Sequence, residues 1–315
     1  MTIGLIFAIL APVTASRSIA HPAAAFRLIP GRPVEAELRR VAIVQLRTAH
    51  RAVTDRKASL DDRIHQARKR IKRLRGLLRL VRGAFPDFRA ENRALRDAAR
   101  LLSGLRDHTV RIDIAARLGT QLGADRIEPL LVQLAHRRDR AWRAPDTHDR
   151  LARFAEAMAS ARARVPAWRL DRPGFEALAP GLRATYSTAR TAMATAKSAG
   201  TAVALHDWRK QVKYVWFHSH LAHHAAPDLI KPWERRADVL GDQLGDHHDL
   251  WILHATLPVA PLEADTKTAL TRLIEHRLDE LEQRAFADAG YLFAESPAAF
   301  VARLGRWWRL ASSTS

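Results

Sequence analysis

Apolar residues spaced three and four apart are what most limits this chain. Ile64, Ala67, Ile71, Leu74, Leu78 and Val81 follow that spacing. At 100° per residue they fall within one arc of about 100°, the buried stripe of a helix. A strand would instead need alternate residues to be apolar. The same periodicity covers most of the 315 residues. After the turn Pro30-Gly31-Arg32-Pro33, it predicts helices near 34–54, 61–83, 88–102, 105–119, 126–142 and 147–164. A breaker-rich stretch, 165–174, follows. A second set is then predicted near 175–198, 202–224, 228–243, 247–256, 263–287 and 297–311. The breaks fall at Pro, Gly and Asp, and no window alternates like a strand. The expected fold class is all-α.

The two sets resemble one another. Ile64-His65-Gln66-Ala67-Arg68-Lys69-Arg70-Ile71-Lys72 aligns with Leu205-His206-Asp207-Trp208-Arg209-Lys210-Gln211-Val212-Lys213 at an offset of 141. Leu102-Ser103-Gly104-Leu105-Arg106-Asp107 aligns with Leu244-Gly245-Asp246-His247-His248-Asp249 at an offset of 142. Two matches at nearly one offset imply an internal duplication: two helical bundles related by a pseudo-twofold and joined near 165–173. The repeats would run from about 26 to 164 and from about 174 to 311, after a leader over 1–25.

Charge narrows the partners. Lys and Arg number 52 against 33 Asp and Glu, a formal net charge of +19. Such a chain favours polyanions. On the helix near 61–83, Arg75, Arg68, Arg79, Lys72, His65 and Lys69 occupy an arc from about 20° to 140° measured from Ile64. This cationic stripe flanks the apolar one directly, and Arg73 points away from both. Around Leu205, the residues His206, Arg209, Lys210, Lys213 and His220 repeat the pattern. Like charges one turn apart repel. An anion held between the two stripes would offset the repulsion; the plain alternative is a solvated face. If His65 and His206 donate to a phosphate, affinity should rise as pH falls toward ~6.5.

Other chemistry is less well supported. Cys is absent, so disulfides, thiolate ligands and a cysteine nucleophile are excluded. His218, His220, His223 and His224 crowd one helix end, and His247-His248-Asp249 reads as a helix start. No HExxH spacing organises them into a metal site. Asp107 and Asp249 read as helix-start caps. The Trp residues read as packing. The run Ile3–Val13 is shorter than the ~20 residues of a membrane span. With Val13-Thr14-Ala15 it also resembles a secretory signal that lacks a basic start.

The motifs Ile64–Arg75, Leu205–Tyr214 and Leu240–Leu250 resemble the signatures of the CHAD family, the conserved histidine α-helical domain. Gly181–Arg190 is similar to the first helix of that family's second repeat. The resemblance runs from about 26 to 311. It implies two four-helix bundles around a basic central cavity, with extra C-terminal helices, and inorganic polyphosphate as ligand. The ligand-facing residues it implies are His65, Arg68, Lys69, Lys72, Arg75 and Arg79 in the first repeat. In the second they are His206, Arg209, Lys210 and Lys213, with His220 in the place of Arg79, helped by Arg183, Tyr186 and Arg190. Trp216 stands in the place of Arg75, so the second stripe is the weaker. Glu35-Ala36-Glu37-Leu38-Arg39 superficially resembles the ExExK strand of a triphosphate tunnel domain, but it lies on a helix. A stand-alone member is therefore expected.

The resulting expectation is a non-enzymatic polyphosphate-binding protein with no cofactor, metal or catalytic residue. It would be cytoplasmic and associated with polyphosphate granules, or exported if residues 1–20 are a signal. Nucleic-acid binding is the main alternative, and a metal-dependent phosphohydrolase using the His-Asp pairs is the weaker one.

Overall fold

The computed structural model describes residues 26–105 and 107–314. The leader and signal-like run at 1–25 lie outside the described residues, as does the side chain of Asp107. Among the described residues there are eleven α-helices, four short 3-10 turns and no strand. The helices are α1 (Val34–Thr54), α2 (Leu60–Leu80), α3 (Phe88–Leu101), α4 (Asp107–Leu122), α5 (Ala124–Trp142) and α6 (Thr147–Arg164). They continue with α7 (Ala179–Ala199), α8 (Ala202–Ala222), α9 (Pro227–His254), α10 (Ala264–Leu292) and α11 (Pro297–Ser313). No described helix is long and apolar enough to cross a membrane.

Local chemistry sets the helix starts. The Ser59 hydroxyl accepts from the Asp62 amide at 3.1 Å and opens α2. Thr201 accepts from Ala204 at 3.3 Å and opens α8, and Ser296 accepts from Ala299 at 3.2 Å and opens α11. Each satisfies an amide that the first turn leaves without a partner. Gly200 ends α7 in the left-handed region, at φ 57°, where a side chain would be strained.

One helix differs from expectation. The segments 228–243 and 247–256 form one continuous helix, α9, with Gly241, Gly245 and Asp246 inside it. His247, His248 and Asp249 are therefore interior residues, not a helix start, and Asp249 is no N-cap. The glycines serve packing. A Cβ on Gly241 would stand 2.8 Å from Lys213 Cε, and one on Gly245 would stand 3.1 Å from Arg209 Nη2. Glycine costs a helix roughly 1 kcal/mol, which close packing against α8 offsets here.

Two apolar cores form. The larger draws on α1, α2, α3 and α6, and on α7, α8, α11, the first half of α9 and the end of α10. The smaller joins α4 and α5 to the end of α9 and the first half of α10 through Ile114, Leu118, Ile127, Leu134, Leu253 and Leu270. Both cores thus take residues from either side of 165–173. That joining segment is itself packed: the Leu170 amide donates to Glu35 at 2.8 Å, and Arg39 Nε donates to the Trp168 carbonyl at 2.9 Å.

The predicted stripe of α2, from Ile64 to Val81, is buried throughout. Its C-terminal half is buried on further sides as well, because α7 and α8 both close on it. A Cβ on Gly181 of α7 would lie 1.9 Å from the Leu80 carbonyl oxygen. That neighbour is backbone and cannot swing away. Gly181→Ala should therefore lower stability by at least about 2 kcal/mol. Gly290→Ala, where a Cβ meets nothing within 4 Å, should raise it by up to ~1 kcal/mol. Urea unfolding followed by circular dichroism measures both.

Candidate basic inter-helix site

The site begins where α2 and α8 touch. Gly76 has no side chain, so the Phe217 ring sits where a Cβ would be only 2.9 Å away. Beside it His218 Nε2 lies 3.0 Å from the Gly76 carbonyl oxygen. Burial holds the His218 imidazole down to about pKa 3. This histidine is a structural hydrogen-bonding group, not a metal ligand. Arg79 lies over the Tyr214 ring, its guanidinium carbon 4.3 Å from the centroid, a cation–π contact between α2 and α8.

From this contact the two basic stripes approach each other along the helices. Lys72 on α2 lies within electrostatic reach of His206 on α8. Lys69 feels Arg73, Arg70 and, from α9, the opposite charge of Asp238; burial is the largest effect on it and lowers its ammonium pKa. So α2, α8 and α9 share one charged region. Arg68 donates to the Leu102 carbonyl at 3.0 Å and holds the end of α3. Arg75 donates to Asn92 Oδ1 at 3.2 Å. His65 is half-buried on α2, just ahead of Arg68. The partners of Arg75 and Arg79 are neutral: an amide and a phenol ring.

The second stripe is partly neutralised. Lys213 Nζ reaches Asp242 at 2.8 Å and Asp238 at 3.4 Å, while Lys210 pairs with Asp207 at 2.7 Å. Asp238, Asp242 and Asp246 recur every four residues, so they form one row along α9. Their spacing was present in the sequence, but the assumed break near 244–246 concealed that they share a face. Burial raises the Asp246 carboxyl, opposed by Arg117 and Arg209. Asp246 also lines a cavity of about 280 Å³ with Arg117, Arg277 and Arg284, between α4, α9 and α10.

Three of the expected ligand residues, Tyr186, Arg190 and His220, are engaged in other contacts. Tyr186 is 1% exposed, stacks on Phe300, and donates to the carbonyls of Leu292 and Glu295 at 3.2 and 3.3 Å. Arg190 donates to the same Glu295 carbonyl at 2.9 Å. Both hold the α10–α11 connection. Arg183 is exposed on α7. His220 forms a very short hydrogen bond to Glu234, which His223 also contacts at 3.2 Å, and its ring stacks on Phe26. These pairs use the histidines structurally. Among the described residues no group of three or more His, Asp and Glu is arranged for a metal.

Two further expectations need correction. Arg73 does not face away into solvent. It lies over the Phe26 ring at 5.3 Å, and burial, with Arg70 nearby, lowers its pKa to about 10. The chain ahead of α1 covers this side of α2, which a helical wheel cannot show. His206 is held down to about pKa 4 by burial, then by Lys210 and Arg209. It stays neutral through the physiological range, so it supplies no charge as pH falls toward 6.5.

Taken together the geometry is that of a helical protein in which basic stripes on α2 and α8 meet a row of carboxylates on α9. Residues 37–258 match the CHAD domain family, and the chain belongs to that family. The crystal structure of the CHAD domain from the plant Ricinus communis is similar, with 15% identity and a TM-score of 0.44. The alignment covers 90% of this chain and 95% of that one. No curated protein matches this chain.

An imidazole with a folded pKa of about 4 against ~6.5 when unfolded binds fewer protons in the folded state across that window. Stability from His206 is therefore complete above pH ~6.5 and declines as pH falls toward 4. Its ring carbon resonances should stay constant from pH 8 to 5 in an NMR titration. A midpoint near 6.5 would contradict the burial described above.

Proposed function

We propose that this chain binds inorganic polyphosphate, without turning it over, along the basic face of α2 where α8 and α9 meet it. The supporting observation is the state of the α2 stripe. Arg75 and Arg79 have neutral partners, and Lys69 and Lys72 lie beside them on the same helix face. Positive charge is thus concentrated next to the core, where water screens it less. A chain of phosphates would bring negative charge to Arg75 and Arg79, whose partners are neutral. Arginine offers paired donors to each phosphate, and lysine offers a mobile point charge.

The reading includes an asymmetry. The carboxylates of α9 already engage Lys213, and Asp207 engages Lys210. The first stripe would therefore carry most of the affinity, with Arg209 and Lys210 completing the far wall. It also includes the duplicated arrangement, in which α2 and α8 are equivalent helices on either side of a basic cavity. The matched lengths of α1, α2, α7 and α8, 21 residues each, support it.

The test uses Lys72→Glu combined with Lys210→Glu, both exposed and so cheap for the fold. Calorimetric affinity for medium-chain polyphosphate should fall at least about tenfold. Arg306→Glu, on the exposed side of α11, should change it less than about twofold. Arg73→Glu is unsuitable as a control because it would bury an acid beneath Phe26. Affinity should also drop steeply with salt through counterion release. Equal losses from both charge changes, or full displacement by duplex DNA at equal phosphate, would replace this reading with a general polyanion surface.

A further inference from the structure

Beside the cationic face stands a ladder of aromatic rings that phosphate binding does not use. The His206 and His248 rings are stacked 3.8 Å apart at an interplanar angle of 24°. His248 is in turn near-parallel to Trp251, at 25° with centroids 6.4 Å apart. The ladder therefore runs from α8 across to α9 and ends on an indole that is 39% exposed. Trp251 belongs to neither apolar core. A large aromatic side chain left open at the end of a stack offers its face to another ring. At the other end, Lys72, Arg209 and Lys210 surround His206.

We propose that this corner takes an aromatic base carried on a phosphate chain, the base stacked on Trp251 and the phosphates held by Lys72, Arg209 and Lys210. The inference rests on the phosphate-binding reading and deepens it by naming a ligand class that bare polyphosphate does not represent. Cations alone would favour any polyanion. An exposed aromatic ring at the opposite end of the same ladder favours one whose phosphates extend from a flat ring, because stacking adds to the ionic attraction and tolerates every base. The neutrality of His206 at pH 7 keeps the ladder from repelling itself. The row Asp238, Asp242 and Asp246 borders the region and would turn phosphate away from α9's acidic face, toward α2.

Base and phosphates could come from a free nucleotide or from single-stranded RNA. The experiment compares ATP, tripolyphosphate and a short oligoadenylate in magnesium-free buffer, by calorimetry, on the full chain. Trp251→Ala should weaken ATP and oligoadenylate about tenfold or more, the usual loss of one stacked base. It should leave tripolyphosphate within about twofold. Trp251→Phe should keep ATP binding within about threefold, and ATP should quench the native Trp251 emission but leave the Phe variant's emission unchanged. Oligoadenylate binding tighter than ATP assigns the site to RNA, and the reverse assigns it to nucleotides; either supports the proposal. If Trp251→Ala leaves ATP unchanged while tripolyphosphate still binds, the stacking inference is overturned and the phosphate reading stands. If the native chain binds none of the three, the phosphate reading fails and takes this inference with it. Circular dichroism confirms that the Ala variant is folded.

Discussion

The close approach of α2, α7 and α8 is the constraint on which the other features depend. It is possible because three positions carry no side chain. Gly76 admits the Phe217 ring, Gly181 meets the Leu80 carbonyl, and Gly83 meets the Pro180 ring. With these glycines α2 becomes a central helix, not a peripheral one. That placement buries its C-terminal half on several sides and leaves its arginines beside the core, with little water to screen them. It also puts the α2 and α8 stripes within electrostatic reach of each other. Charge concentration and helix packing are here one arrangement. The cost of crowding cations is set by how tightly the helices cross.

The cations are handled differently on the two helices. On α8 they are met by carboxylates, Asp238 and Asp242 from α9 and Asp207 from α8 itself. On α2, Arg75 meets an amide and Arg79 an aromatic ring. These hold the guanidinium groups in place without neutralising them. Preorganised donors lose less on binding an anion than flexible ones do. This difference follows from α9 being a single long helix that carries its acids past α8.

Much of this could be read in the sequence. Periodicity located almost every helix, and the apolar stripe from Ile64 to Val81 was correct residue by residue. The duplicated His-x-x-Arg-Lys segments pointed to α2 and α8, the helices that meet. What could not be read was anything requiring a third body. A wheel puts Arg73 opposite the core, yet Phe26 from outside the helix covers it. Tyr186 and Arg190 sit on the right helix, but the end of α10 claims them. The break assumed near 244–246 failed because glycine in a helix can answer a neighbour's side chain as readily as it can end the helix. That one error also hid that Asp246 continues the row of Asp238 and Asp242, which depends on unbroken helix through 244–246.

The sharing of the smaller apolar core has a consequence for synthesis. The α4–α5 hairpin buries Ile114, Leu118, Ile127 and Leu134 against Leu253 and Leu270. Those partners leave the ribosome more than a hundred residues later. At the usual pace of translation, the hairpin's apolar face waits on the order of ten seconds for its cover. During that interval the nascent chain carries an exposed amphipathic hairpin beside a strongly basic helix. Completion of α9 and α10 therefore closes the smaller core and, in the same event, delivers the row of carboxylates that tempers half of the basic face.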